Sequence, residues 1–197
     1  MKKPFIYLLT AGLAVSMIAN TGLVNAEEKL MNKSEATVDF KPGFLKLTEV
    51  SSITFNEVDI VAEDATAKST SDVSATVSDL RGTHAGWTLT AGLKEFKDET
   101  GSPSLAATNI KFVSGSAVSS ANSNPVVLEE VKLEAGEEAK SLLVKAQEGA
   151  GMGETTVNWD SENVLLTVPE SVVKVGQHTA AIEWLMTDSP QDTEVTE

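Results

Sequence analysis

Cysteine is absent from this chain. That excludes disulfide staples, a thiol nucleophile and a lipid-anchored cysteine. Stability must come from packing and backbone hydrogen bonds. Aromatic residues make up only 5% of the sequence, with three Trp and one Tyr, so a sugar-cleaving groove rich in stacking platforms is not expected. The two histidines, His84 and His178, lie at no metal-ligand spacing, and no cofactor or metal is expected. Positive charge is scarce: 15 Lys and Arg against 29 Asp and Glu, a net charge of −14. Such a surface repels nucleic acid and anionic lipid at long range. It favours solubility, and it also means that attachment to any anionic polymer must rest on specific contacts, a partner or bridging cations.

Motifs for catalysis are missing too. There is no Gly-x-Ser-x-Gly elbow and no phosphate-cradling Gly-rich Lys motif. Asp160-Ser161-Glu162-Asn163 offers oxygen ligands but lacks the spacing and glycine of a calcium loop, so it is expected to be a solvated turn. A glycosidase needs two carboxylates facing across a cleft, which residue counts do not reveal. The chain is therefore expected not to be an enzyme.

Several signals point outward from the cell. Met1-Lys2-Lys3 is a basic start, residues 5–19 are largely apolar, and Val24-Asn25-Ala26 precedes Glu27-Glu28. That order predicts a secretory signal over residues 1–26, cut after Ala26. The apolar stretch is shorter than the roughly 20 residues a spanning helix needs. No membrane insertion is expected once the signal is removed, and the charge then becomes about −16 with the loss of Lys2 and Lys3. No Leu-Pro-x-Thr-Gly sorting sequence with a hydrophobic tail is evident near the C-terminus. Retention at a surface would therefore be non-covalent. Residues 27–190 are expected to form one domain, and residues 191–197 an acidic tail.

The domain is rich in Val, Thr, Ser and Ala, broken by turn residues. Short alternating runs predict strands through residues 34–40, 44–48, 53–60, 73–80 and 87–96. Others run through 106–113, 126–133, 155–159, 164–168 and 179–186. Residues 137–147 fit either a helix or a strand through 141–146, with the strand favoured by its neighbours. The Ser-, Ala- and Asn-rich stretch 114–124 reads as a mobile surface loop, a spacer before it is a ligand site. The predicted fold class is all-β: a single β-sandwich with little helix, an immunoglobulin-like topology being one form of it.

Two short segments stand out. Gly86-Trp87-Thr88-Leu89 and Ile182-Glu183-Trp184-Leu185-Met186 each place a Trp two residues from a second large apolar side chain. Residues i and i+2 of a strand share a face. Trp87, Leu89, Ala91 and Leu93 are thus expected on one face, with Ala180, Ile182, Trp184 and Met186 on one face of the later strand. Apolar strand faces of this kind are usually core. The other reading is a partly exposed aromatic surface that stacks on sugar or a partner.

The pair of segments resembles the signature of the WxL-domain family, small cell-surface proteins of low-GC Gram-positive bacteria. Trp87-Thr88-Leu89 is similar to the first Trp-x-Leu element. His178, Ala180, Ile182, Trp184, Met186, Asp188 and Pro190 follow the spacing of the second. Val164 to Pro169 and Ala36 to Phe40 also resemble family segments. Two positions depart: Met186 replaces a Leu, which packing tolerates, and His178 replaces a Tyr. The resemblance implies a secreted, non-enzymatic protein at the cell wall, associating non-covalently with peptidoglycan. It further implies a membrane-anchored WxL-interacting protein and other surface proteins as partners, and contacts with host extracellular matrix in some members. Trp87, Leu89, Trp184 and Met186 are the candidate binding residues. The alternative is a protein-binding subunit with no glycan affinity of its own, held at the surface by the membrane-anchored partner through an exposed sheet edge or the loop at 114–124.

Overall fold

A computed structural model describes residues 34–121 and 123–188. The predicted signal, Ser189, Pro190 and the acidic tail lie outside the described residues. The chain divides into two units, residues 1–39 and 40–197. Of the first, the described residues 34–39 are exposed and carry no regular secondary structure.

The second unit is all-β, with short 3-10 turns and no α-helix among the described residues. Three four-stranded antiparallel sheets form its body. The first joins β1 (Leu45–Val50), β3 (Val73–Asp79), β12 (Gly153–Trp159) and β8 (Ser116–Ser119), in that order. The second runs β10 (Glu130–Glu134), β7 (Asn109–Val113), β13 (Val164–Val168) and β2 (Ala65–Lys68). The third runs β15 (Ile182–Thr187), β4 (Trp87–Leu93), β11 (Ser141–Ala146) and β9 (Val126–Val127). A smaller sheet joins β14 (His178–Thr179), β5 (Phe96–Asp98) and β6 (Pro103–Ser104). The sheets pack sandwich-like over one apolar core that holds Val73, Val77, Trp87, Leu89, Phe112, Leu143, Val157, Trp159 and Val164.

The period-two pattern explains most of this. In β3, Val73, Ala75 and Val77 are buried while Ser74, Thr76 and Ser78 are half-exposed. In β12 the same holds for Thr155, Val157 and Trp159 against Glu154 and Thr156. Central β4 is different: Thr88 and Gly92, on its other face, are buried as well. The ambiguous stretch resolves as strand β11, whose Val144 and Ala146 lie opposite Leu89 and Trp87.

Three sequence expectations are corrected. Residues 34–40 form no strand, and Val38 and Phe40 stand exposed. Alternation permits a strand, but a ladder partner makes one. Residues 53–60 form no strand either; only Phe55 bridges Ser69. Their apolar phase slips, from Ile53 and Phe55 to Val58 and Ile60, so no single face can bury all four. The stretch 114–124, expected as a loop, contains strand β8 on the edge beside β12, with Ser119 buried. Small residues are needed there because Gly115 lies against the indole of Trp159, and a Cβ would collide with Nε1. The sequence reading also missed β2.

Candidate functional site

The two Trp segments are far apart in sequence and adjacent in space. β4 and β15 pair antiparallel, with Met186 opposite Leu89, Trp184 opposite Ala91 and Ile182 opposite Leu93. Directly opposite residues share a face, so all six side chains point to the same side of the sheet. Just beyond this ladder Lys94 N–H donates to Ala181 O at 2.8 Å, in the same register.

Trp87 and Leu89 are fully buried. The indole N–H of Trp87 donates to the carbonyl of Gly151 at 3.0 Å. Gly151 has φ +68°, and a Cβ there would sit 2.7 Å from Trp87 Nε1 and 2.9 Å from Ala146 Cβ. Glycine is therefore required twice, for the backbone and for the close approach. Trp184 and Met186 are half-buried. One side of Trp184 packs with Phe112 and Trp159, at ring-centroid distances of 6.2 and 6.3 Å. Phe112 and Trp159 meet edge to face at 5.2 Å. Such aromatic pairs contribute about 0.5–1.5 kcal/mol each beyond their burial.

Two residues outside both segments tie their ends together, and the sequence reading missed them. Asp79 ends β3, and Arg81 follows it across a tight turn. The guanidinium grips the carboxylate with two parallel bonds, Nε to Oδ1 at 2.9 Å and Nη2 to Oδ2 at 2.8 Å. The same Nη2 donates to Gly86 O at 2.8 Å, just before Trp87, and Nη1 donates to Asp188 O at 3.2 Å, just after β15. Both side chains are largely withdrawn from water. The hydrogen bonds from the Arg81 side chain hold the Asp79 carboxyl below the usual carboxylate range, against a desolvation that pushes it up. The i, i+2 spacing of an Asp and an Arg gave no signal of this, because such pairs are common in solvated turns.

A match at the level of the family decides what this arrangement belongs to: residues 25–190 fit the WxL domain, described as surface cell wall-binding. The chain belongs to the WxL family. No curated protein and no solved structure matches it. The WxL protein is thus a cell-wall-binding surface protein of a non-enzymatic family. The paired Trp-x-hydrophobic elements are the two strands of one antiparallel ribbon, clamped at one end by Asp79 and Arg81.

The family departures have structural counterparts. Met186 faces Leu89 across the ladder. His178 sits in β14 with Nδ1 3.0 Å from Ser104 Oγ and Nε2 3.1 Å from Lys174 O. A carbonyl only accepts, so Nε2 carries the proton. The ring links β14 to β6 and to the preceding loop. Among the described residues no group of three His, Asp or Glu side chains is placed to hold a metal. No helix among them is long and apolar enough to cross a membrane. Glu162 of the 160–163 turn pairs with Lys68.

Trp184 and Ile182 also form part of the floor of a surface groove of about 1280 Å³. Leu93, Ile110 and Leu166 are among its other apolar lining residues. Residues 50–60 form one wall and residues 173–180 the other. Val58, Ile60 and Val175 stand exposed on the rims. Of the four candidate binding residues, the geometry brings Trp184 to this opening, sets Met186 beside it on β15, and places Trp87 and Leu89 in the core.

Proposed function

We propose that this WxL protein associates non-covalently with peptidoglycan and assembles there with surface partner proteins, a membrane-anchored WxL-interacting protein among them. The observation that carries this reading is the half-exposed Trp184 at the floor of a large groove in a wall-binding domain. Trp184 and Met186 belong to the docking strand. Trp87 and Leu89 act from beneath, fixing the strand that holds β15 in place. Attachment to host matrix would follow from display at the surface.

The acidity of the chain favours a second reading, in which a partner protein supplies all the anchoring. At −14 the protein gains nothing from long-range attraction to an anionic wall. The two readings separate in a pulldown of the chain from Glu27 to Glu197 with washed, protein-stripped walls. Binding that survives moderate salt is expected for direct recognition through short-range contacts. A folded protein that stays in the supernatant would leave the partner as the anchor. Trp184→Ala is expected to abolish retention on whole cells, and a folded variant retained as well as wild type would remove Trp184 from the docking surface.

A further inference from the structure

Among the described residues, the edge of β15 away from β4 is unpaired. In the antiparallel ladder Ala181 and Lys94 form a hydrogen-bonded pair, so Glu183, Leu185 and Thr187 turn their backbone groups toward β4. Ile182, Trp184 and Met186 turn theirs the other way, where no described residue bonds them. Unpaired strand edges are templates for another strand, and proteins usually guard them with charge, bulges or brevity. Several of the other edges are guarded. β1 carries Lys46 and Glu49 and a bulge, β10 carries Glu130, Lys132 and Glu134, and β9 has two residues. β15 has six residues and a single charge, Glu183, which bonds Lys94 and Lys140 on its own sheet's surface.

The groove beside this edge is bounded by a second unpaired strip. Beyond Asn56, whose N–H donates to Lys68 O, residues 57–62 make no backbone hydrogen bond with described residues, yet they alternate Glu57, Val58, Asp59 and Ile60. The groove exceeds the roughly 300–1,000 Å³ of small-molecule sites. Resting on the assembly half of the reading above, we propose that β15 is a strand-addition site: an extended segment of a surface partner protein, alternating apolar residues with Lys or Arg, lies in the groove and bonds the open backbone groups of Ile182, Trp184 and Met186.

Charge selects this occupant. Glu57 and Asp59 stand exposed on one rim, Lys174 lies on the other, and the chain as a whole is at −14. A second copy of this chain would bring the same negative charge and be repelled. Main-chain bonds would supply affinity and the alternate apolar side chains specificity.

The test titrates the isotope-labelled chain, Glu27 to Glu197, with a nine-residue peptide alternating Val and Lys, read by amide hydrogen exchange. The amides of Ile182, Trp184 and Met186 are expected to exchange freely at first and to slow at least tenfold with the peptide. The same peptide N-methylated at alternate residues should give no protection, and Glu57→Lys with Asp59→Lys should weaken binding several-fold without unfolding these exposed positions. Three amides already protected in the free chain, equal binding of the N-methylated peptide, or protection produced by soluble peptidoglycan fragments or rising protein concentration but not by the peptide would each overturn the proposal. Stripped-wall binding is measured separately, so failure of the wall reading leaves this result intact.

Discussion

The two Trp segments have the same pattern and opposite fates. Trp87 lies on β4, with a strand on each side and its indole N–H bonded to Gly151. Trp184 lies on β15 at the sheet's edge, packed on one side and bordering a groove on the other. A central strand has both backbone flanks paired; an edge strand keeps one flank open. The same motif thus yields a fully buried Trp on a central strand and a half-buried Trp on an edge strand.

The largest test of that contrast is truncation. Trp87→Ala should cost about 3–5 kcal/mol, the range for emptying a buried aromatic site. Trp184→Ala should cost clearly less, since part of the ring already faces solvent. Urea midpoints of the two variants decide it, and equal losses would abolish the distinction. The clamp comes next. Arg81→Met leaves the buried Asp79 carboxylate without its partner and should cost about 3 kcal/mol. Because the Asp79 carboxyl is depressed below 3.8, its contribution is full above that pH and disappears as pH falls through the folded-state value. Urea midpoints between pH 6 and 2 should therefore decline in wild type and decline less in Asp79→Asn.

A finer test uses matched glycines. Gly151→Ala and Gly149→Ala both place a methyl at positive φ, +68° and +80°, but only the first meets Trp87; a Cβ at Gly149 has nothing within 4 Å. Strain alone should cost each about 1 kcal/mol or more, and the excess at Gly151 reports the Trp87 contact. Thermal melts that coincide would mean the indole yields freely. The smallest effect is expected at Glu183. Its carboxyl is lowered by hydrogen bonds from Lys140 and Lys94, but it sits in open solvent, so Glu183→Gln should leave the melting midpoint within error.

Much of this was legible in the residues. The phase of β3, β12 and β13 follows from Val, Thr and Ser alternation, and the face shared by Trp87, Leu89 and Ala91 follows from spacing alone. Where the phase slips, at 53–60, the strand fails; where small residues conceal the pattern, at 116–119, a strand forms because β12 supplies a ladder partner. Neither outcome is contained in a local window. The clamp was illegible for the same reason, since Asp79 and Arg81 acquire their role only through Gly86 and Asp188, brought to them by the fold.

The sequence alone determined the all-β character, the membership of a wall-binding family and which side chains share a face of each Trp strand, because side-chain alternation and motif spacing are local properties of the chain. Only the tertiary structure decided that the two Trp strands are neighbours, that one is central and the other an edge, and that a groove opens beside the second. Those facts depend on which strands pair across long separations, and pairing is settled by the burial and hydrogen bonding of the whole sheet at once.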